Sequence, residues 1–374
     1  MKVKDIVSML DHIAPFSLAA DWDNCGFQVG DSSAEIDSIA LALDPTLENL
    51  KKARQSNHSL LITHHPLIFK SLKRLDSSNP NTAAVCWALS NGLSVISVHT
   101  NWDMAGVPQA LAELIQLKQI GPLELCKQNF LKLVVFVPQS HLQILRKAIF
   151  STGAGTIGEY KECYFQSAGQ GGFTVPADGH PFSGTPGQAH QTDEVRLELI
   201  LRPQLRDQVH RAVMSVHPYE KPAFEFYPIE TVETGFGLIG RWDPPRPAKE
   251  FLAQALGRNG YWIGDAPNPA STVALMPGSG GSYVSDAKAA GAELLITGEL
   301  SHHQALLALE IGLPTLAAGH FETERPSMFL LQKKLTEEIA AAGRQIRITV
   351  LDEHPPMTRI GDSPAGVPCE GKNP

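Results

Sequence analysis

Residues 60–65 read LLITHH and residues 294–303 read LLITGELSHH. Four apolar or β-branched residues that stop at a histidine or a glycine describe a short strand buried on both faces. Working outward, SIALALD (38–44) and TLENLKKARQSN (46–57) precede the first copy as a strand and a helix. STVALMP (271–277) and GGSYVSDAKAAGA (280–292) precede the second in the same way. Downstream, AAVCWALSNGLSVISVHTNWD (83–103) reads against QALLALEIGLPTLAAGHFETE (304–324), each a helix, a glycine turn, an apolar strand and then His-x-x-x-acid. The chain therefore reads as two copies of a β-α-β-α-β unit, over about residues 36–103 and 271–324. The competing reading is the general likeness of all β-α-β units. The paired His-x-x-x-acid endings favour duplication. Strands alternating with helices predict an α/β fold with a largely parallel sheet and functional groups collected where strands end.

A different rhythm separates the copies. KLVVFVP (132–138), SHLQILRKAIFST (140–152), YKECYFQS (160–167), EVRLELIL (194–201), QLRDQVHRAVMSV (204–216) and AFEFYPI (223–229) spell β-α-β-β-α-β, the ferredoxin-like split unit. It is read as an inserted α+β domain, with a mobile Gly/Pro-rich loop over 172–190. The expected division is 1–127 and 233–355 for the two halves of the duplicated domain, 128–232 for the insert, and 356–374 for a flexible tail.

The composition of the 374 residues, 43% hydrophobic and 19% charged, is that of a globular protein large enough for more than one domain. A formal net charge of −8 without a basic block speaks against a nucleic-acid partner. Five scattered cysteines with no C-x-x-C pair argue against a disulfide framework and a thiolate zinc site, and fit a cytoplasmic setting. No stretch approaches the roughly 18 apolar residues of a membrane span. Val3, Ile6, Val7 and Leu10 recur instead at helical spacing, with Asp5 and Asp11 interrupting any signal-peptide core.

The residues that bear chemistry gather at the strand ends. His64 and His65 follow LLIT and precede Pro66, which ends the strand. Adjacent side chains at a strand terminus diverge, so neighbouring imidazoles can address two different ions. His99 lies four residues before Asp103, and His320 four before Glu324, so each pair shares a face if a helix begins there. His64, His65, Asp103, His320 and Glu324 are the candidate ligands, with His99, His302 and His303 as further ligands or outer supports. A hydrogen-bonded histidine pair, a capping carboxylate and a solvated helix start are the structural alternatives for these groups taken singly. Together, imidazoles and carboxylates without thiolate suit zinc, iron or manganese rather than calcium. Five or six ligands exceed the needs of one open catalytic ion, and two ions about 3.5–4 Å apart would use them all. MPGSGG (276–281) is a candidate anion loop through its backbone N–H groups. GFGLIG (235–240) matches G-x-G-x-x-G but lacks the preceding buried strand, and reads as a re-entry turn.

WDNCGFQVGD (22–31), LLITHHPLIF (60–69), VHTNWDMA (98–105), GFGLIGR (235–241), GSGGS (278–282), LLITGELSHH (294–303) and GHFETER (319–325) together resemble the NIF-three-like family, also described as GTP cyclohydrolase 1 type 2 homologues. The resemblance implies a NIF-three-like domain with a dinuclear metal centre held by His64, His65, Asp103, His320 and Glu324, His99 lying near the metals. It also implies a ring-shaped homohexamer and a CutA-like, PII-like middle domain closed by HPYEKPAFEFYPIE (217–230). The expected function is a metal-dependent hydrolase of a small nucleotide-like or anionic substrate, with GTP ring opening as its named version. The alternative is a non-catalytic metal-handling or regulatory hexamer.

Overall fold

A computed structural model describes residues 1–357 except 158–159, 179–180 and 258–259, and the side chains of these residues except 125–129 and 230–234. From residue 358 onward, the stretch 356–374 expected as a tail lies outside the described residues. The chain divides into two compact units, one of Met1–Cys126 with Thr234–Pro374, the other of Lys127–Glu233.

The chain opens with α1 (Val3–Ile13), β1 (Gly26–Val29), β2 (Ser38–Ala42), α2 (Leu47–Gln55), β3 (Leu60–Thr63), α3 (Pro80–Ser90), β4 (Ser94–Ser97), α4 (Thr100–Ala105), α5 (Val107–Leu114) and β5 (Lys118–Gly121). It continues through β6 (Glu124–Pro138), α6 (Leu142–Phe150), β7 (Phe165–Thr174), β8 (Ala189–Leu201), α7 (Arg206–Val216) and β9 (Phe224–Phe236). It then runs through β10 (Leu238–Arg246), α8 (Ala248–Ala255), β11 (Tyr261–Ile263), β12 (Ala270–Met276), α9 (Val284–Ala289), β13 (Leu294–Thr297), α10 (His302–Glu310), β14 (Thr315–Ala317), α11 (His320–Glu324), α12 (Pro326–Ala341) and β15 (Arg347–Val350). Among the described residues no helix is long and apolar enough to cross a membrane.

The first unit holds two sheets, ordered β1-β4-β3-β2-β15 and β11-β14-β13-β12-β10-β5. Strands β2, β3 and β4 run parallel, as do β12, β13 and β14. Each triplet carries an antiparallel edge strand on its last member, β1 on β4 and β11 on β14. The duplication thus includes an edge strand ahead of each copy, which the sequence repeat does not show.

Every residue of β2, β3 and β4 is buried because helices cover both faces of their sheet. Ile39, Leu41, Ile62 and Ile96 pack with α1 and α12 on one face, while Ala40, Leu61 and Val95 pack with α2 and α3 on the other. Full burial of each leucine or isoleucine contributes about 1.5–3 kcal/mol of transfer free energy. Local chemistry starts the helices. The Thr46 hydroxyl accepts from the Asn49 N–H ahead of α2, and Ser301 and Gln304 form a capping box at α10. In the ladders Ala42 faces Thr63 and Thr63 faces Ser97, so the carboxyl ends of three strands finish level. That edge carries the site.

The second unit is one antiparallel-containing sheet ordered β7-β8-β6-β9, with two helices in β-α-β-β-α-β sequence. Leu133, Val135 and Val137 of β6 pack with Leu145 of α6 and Val209 and Val213 of α7. The strand expected at 160–167 is displaced, since β7 pairs residue by residue with β8 from Phe165↔Glu198 to Thr174↔Ala189. Part of the expected 172–190 loop is therefore strand. Ladder hydrogen bonds override the poor strand propensity of Gly169, Gly171 and Gly172. GFGLIG is mostly strand rather than a turn, the end of β9 and the start of β10, with only Gly237 at φ +64 interrupting them.

Candidate metal centre

Each imidazole at the level edge is fixed by an outer partner. The His64 ring is buried, and its Nδ1 lies 2.9 Å from the Val98 carbonyl oxygen. A carbonyl only accepts, so Nδ1 carries the proton and Nε2 presents a lone pair. His65 Nδ1 lies 2.8 Å from Asp44 Oδ1, His99 Nδ1 2.9 Å from Asp23 Oδ1, and His320 Nδ1 3.3 Å from Glu299 Oε1. Outer carboxylates of this kind set tautomer and ring orientation in metal-bound histidines. Asp23 is itself clamped, its Oδ2 accepting from the Thr100 hydroxyl at 2.6 Å and the Thr100 N–H at 3.0 Å.

The inward atoms converge. His65 Nε2 is 3.3 Å from Glu324 Oε2, and His320 Nε2 is 3.1 Å from Glu324 Oε1. His64 Nε2 stands 3.5 Å from Asp103 Oδ1 and 3.7 Å from Glu324 Oε2. Among the described residues three overlapping groups could each hold a cation, namely His64–His65–His99, His65–His320–Glu324 and His64–Asp103–Glu324. The structure therefore brings His64, His65, His99, Asp103, His320 and Glu324 into one cluster built from both halves of the first unit.

His302 and His303 do not join that cluster. They sit exposed in the first turn of α10 and belong to none of the three groups. Strand register gives the reason. Thr63 faces Ser97 and Thr297 faces Ala317, so Gly298 and Glu299, not His302 and His303, take the places of His64 and His65. The same register sets His99 against Gly319, which puts the two His-x-x-x-acid pairs one residue out of step. The glycine-rich loop also differs from expectation. The Gly278 N–H donates to the Thr323 hydroxyl and the Gly280 N–H to the Thr297 hydroxyl, so these donors are engaged internally rather than offered to an anion. Gly278, at φ +64, lies where a Cβ would meet Glu324 Oε1 and shapes the pocket for that carboxylate.

The electrostatics call for a cation. Among the described residues, buried His64 Nε2 has no hydrogen-bond partner and faces Glu324 Oε2, which has only the long 3.3 Å approach of His65 Nε2. Burial pushes His64 down to about 3, so at neutral pH two lone-pair donors confront one another. Burial alone would raise Glu324, but the imidazoles of His64, His320 and His65 hold its carboxyl well below the usual range. Burial and the neighbouring Glu324 carboxylate push Asp103 well up. Burial works against protonating His65, yet Asp44 and Glu324 outweigh it and raise His65 to about 10. The hydrogen bond to Glu324 raises His320 to about 9. Orphaned donors and an imidazole–carboxylate set without thiolate fit divalent ions of the zinc, iron or manganese type.

Two consequences are measurable. The proton affinities of His65 and His320 exceed the usual imidazole value of about 6.5. Their contribution to metal-free stability is therefore complete below that pH and is lost as pH rises through about 9 and about 10. Metal binding has the opposite pH dependence, because a cation displaces these protons, so affinity rises with pH over that interval. Calorimetric titration of zinc into metal-free protein at neutral pH, in buffers of different protonation enthalpy, should show both protons released. Replacing Asp44→Asn removes the outer carboxylate of His65 and should weaken metal binding roughly 10–100-fold in a chelator competition.

Asp23, Asp44 and Glu299, the outer partners of three of these rings, are residues that the sequence reading missed. Asp23 and Glu299 lie inside the quoted WDNCG and ITGEL motifs, and Asp44 closes SIALALD. Asp44 and Glu299 each lie two residues past the end of a parallel strand, β2 and β13, which was the available signal, whereas Asp23 lies ahead of β1.

A family model described as Duf34/NIF3 (NGG1p interacting factor 3) matches residues 1–356. The chain belongs to the Duf34/NIF3 family. Among curated Duf34/NIF3 relatives, a "GTP cyclohydrolase 1 type 2 homolog" of Bacillus subtilis is 34% identical over 328 residues, covering 85% of this chain and 88% of the relative. One of the same description from Listeria monocytogenes is 32% identical over 345 residues, covering 89% and 92%. The crystal structure of a Bacillus cereus protein related to NIF3 superposes with a TM-score of 0.83 at 31% identity, covering 96% of this chain and 99% of that one. A Staphylococcus aureus structure gives 0.73 at 25% identity, covering 96% and 98%. The mixed α/β architecture with several sheets is thus that of NIF3-related structures.

Proposed function

We propose that the chain is a metal-dependent hydrolase that holds two divalent ions and acts on a small nucleotide-like substrate. The observation that carries this reading is Glu324, whose two carboxylate oxygens face different imidazoles, Oε1 toward His320 and Oε2 toward His65 and His64. Glu324, His64, His65, Asp103 and His320 would hold the ions. When bound, the ions supply Lewis acidity toward substrate oxygen and lower the pKa of water. The name shared by the curated relatives supports a GTP-type substrate, with ring opening by water as the reaction.

The residues of this chain would orient the reactants and move protons. His99 is the group best placed for transfer at Nε2, because Asp23 fixes its Nδ1. Hydrogen bonds from His99, Cys25 and Thr100 hold the Asp23 carboxyl far below its usual range against the opposing effect of burial, so Asp23 stays ionised behind the ring. His99 Nε2 would take a proton from the attacking water and return it to the departing nitrogen.

The test combines metal analysis of anaerobically purified protein with nucleotide turnover. The expected outcome is two divalent ions per chain, GTP ring opening by the wild type, and a His99→Gln variant that keeps its metal but loses at least 100-fold in turnover. Metal-loaded protein that leaves GTP and other nucleotides intact, while a control cyclohydrolase acts, overturns the hydrolase reading and favours a metal-handling or regulatory role. The family resemblance also supports a cytoplasmic homohexamer with a CutA-like middle domain, which light-scattering mass measurement tests.

A further inference from the structure

Two large apolar side chains stand exposed beside the metal cluster. Trp22 is 64% and Phe69 50% solvent-exposed, and their rings meet edge-on with centroids 6.0 Å apart. Both also contact the His99 ring, at 6.2 Å from Trp22 and 6.5 Å from Phe69. Hydrogen bonds between the side chains of Asn24 and Gln28 and the backbone of Ile68 hold the pair in place. Asn24 Nδ2 donates to the Ile68 carbonyl at 2.5 Å, and the Ile68 N–H donates to Gln28 Oε1 at 3.1 Å. The segment bearing Trp22 is thereby tied to the segment bearing Phe69. Exposed indole and phenyl rings are costly to leave in water unless something covers them.

The same loop indicates what covers them. Between His65 and Pro80 it carries Lys70, Lys73 and Arg74, all exposed. Among the described residues none of the three has an ion-pair partner within salt-bridge distance. In a chain of net charge −8 this is a local reversal of sign. The nearby acid Asp76 is committed to the Ser78 N–H and hydroxyl. Aromatic faces followed by unpaired cations suit a planar ring that carries an anionic tail.

We propose that Trp22 and Phe69 form a stacking jaw for the heteroaromatic ring of a phosphorylated substrate, whose phosphate is taken by Lys70, Lys73 and Arg74, with the ring edge presented to His99 and the cluster behind it. This assignment rests on the nucleotide-hydrolase reading above and specifies which residues grip the substrate. It makes Phe69 and Trp22 determinants of ring binding and the three cations determinants of the preference for a phosphorylated ligand.

Of the five tryptophans Trp22 alone is exposed, Trp102 and Trp242 being buried and Trp87 and Trp262 half-buried, so the part of the quench that disappears in Trp22→Phe is assigned to this site. Metal-loaded protein is titrated with GMP, guanosine and inorganic phosphate while tryptophan emission is followed. Metal content is measured in every variant. GMP and guanosine should both quench the emission, with GMP binding at least about tenfold tighter. Phe69→Ala should weaken both roughly tenfold. The triple variant Lys70→Gln/Lys73→Gln/Arg74→Gln should abolish the advantage of GMP and leave guanosine unchanged. A Trp22→Phe variant should retain GMP binding, read by equilibrium dialysis, while losing the quench.

Phe69→Ala protein that keeps its metal and binds GMP as tightly as wild type overturns the proposal. So does a phosphate affinity equal to that of GMP, which would mean an anion site alone. Emission that changes with protein concentration in the absence of ligand assigns the aromatic pair to a second copy of the chain, and also overturns it. The two readings fail separately. GMP binding with the expected variant pattern but without nucleotide turnover removes the hydrolase and keeps the jaw. Turnover whose KM is untouched by Phe69→Ala does the reverse.

Discussion

Replacing Glu324→Gln is expected to empty the metal centre while leaving the fold standing. Glutamine matches glutamate in shape, so the buried site, 4% exposed at this residue, keeps its packing. What changes is the charge shared by His64, His65 and His320, which all face this carboxylate within 3.7 Å. Glu324 belongs to two of the three groups able to hold a cation, so its loss strikes both positions. Removing only an outer support of a ligand costs roughly 10–100-fold in metal affinity, and removal of the shared ligand should exceed the upper end. Elemental analysis of wild type and variant purified in parallel should show metal falling below half an equivalent per chain. A variant that retains wild-type metal content would mean that the imidazoles hold the ions without it, and the place given to Glu324 among the ligands would be wrong. In the metal-free variant the proton affinities of His65 and His320 should both fall, because the carboxylate that both face is gone, with His320 affected more since Asp44 still supports the proton on His65.

The second large effect comes from a residue with no side chain. Gly278 sits at φ +64, and a methyl group there would meet Glu324 Oε1 and lie 3.6 Å from the His320 ring. Gly278→Ala should therefore combine about 1–2 kcal/mol of left-handed backbone strain with displacement of the shared carboxylate. Gly291→Ala separates the two terms. Gly291 is also left-handed, at φ +79, but nothing lies within 4 Å of its absent Cβ. Thermal unfolding should register a comparable destabilisation in both variants, whereas metal affinity should fall at least about tenfold in Gly278→Ala alone. Equal metal affinity in the two would show that the carboxylate can move aside, and that the close approach at Gly278 has no bearing on the site.

The duplicated strands were legible because burial on both faces leaves a plain mark, a run such as LLIT with no polar alternation. The histidine pair after that run and the late His320 and Glu324 were legible because chemistry-bearing residues at strand ends stand out against apolar strands. Less visible were the features set by register. His302 and His303 resemble a second histidine pair in one dimension, yet the ladder assigns their place to Gly298 and Glu299. A sequence comparison slides freely by a few residues, whereas a parallel ladder fixes each residue opposite one partner. The glycine loop misled for a related reason. Glycine marks close approach as readily as anion binding, and here the object approached is Glu324. Strand β7 was misplaced because its glycines argue locally against the strand that pairing with β8 imposes.

By itself, then, the sequence determined the buried parallel strands and the helices between them, and which side chains have metal-binding chemistry, since periodicity and residue type are properties of short stretches. Tertiary structure alone decided that Glu324 faces imidazoles from both copies, that Asp23, Asp44 and Glu299 stand behind three of the rings, and that Trp22 meets Phe69. The physical reason is distance along the chain. These partners stand 21 positions apart at the least, as Asp44 and His65 do, and a contact between residues in different elements depends on how the sheets pack, which no local pattern encodes.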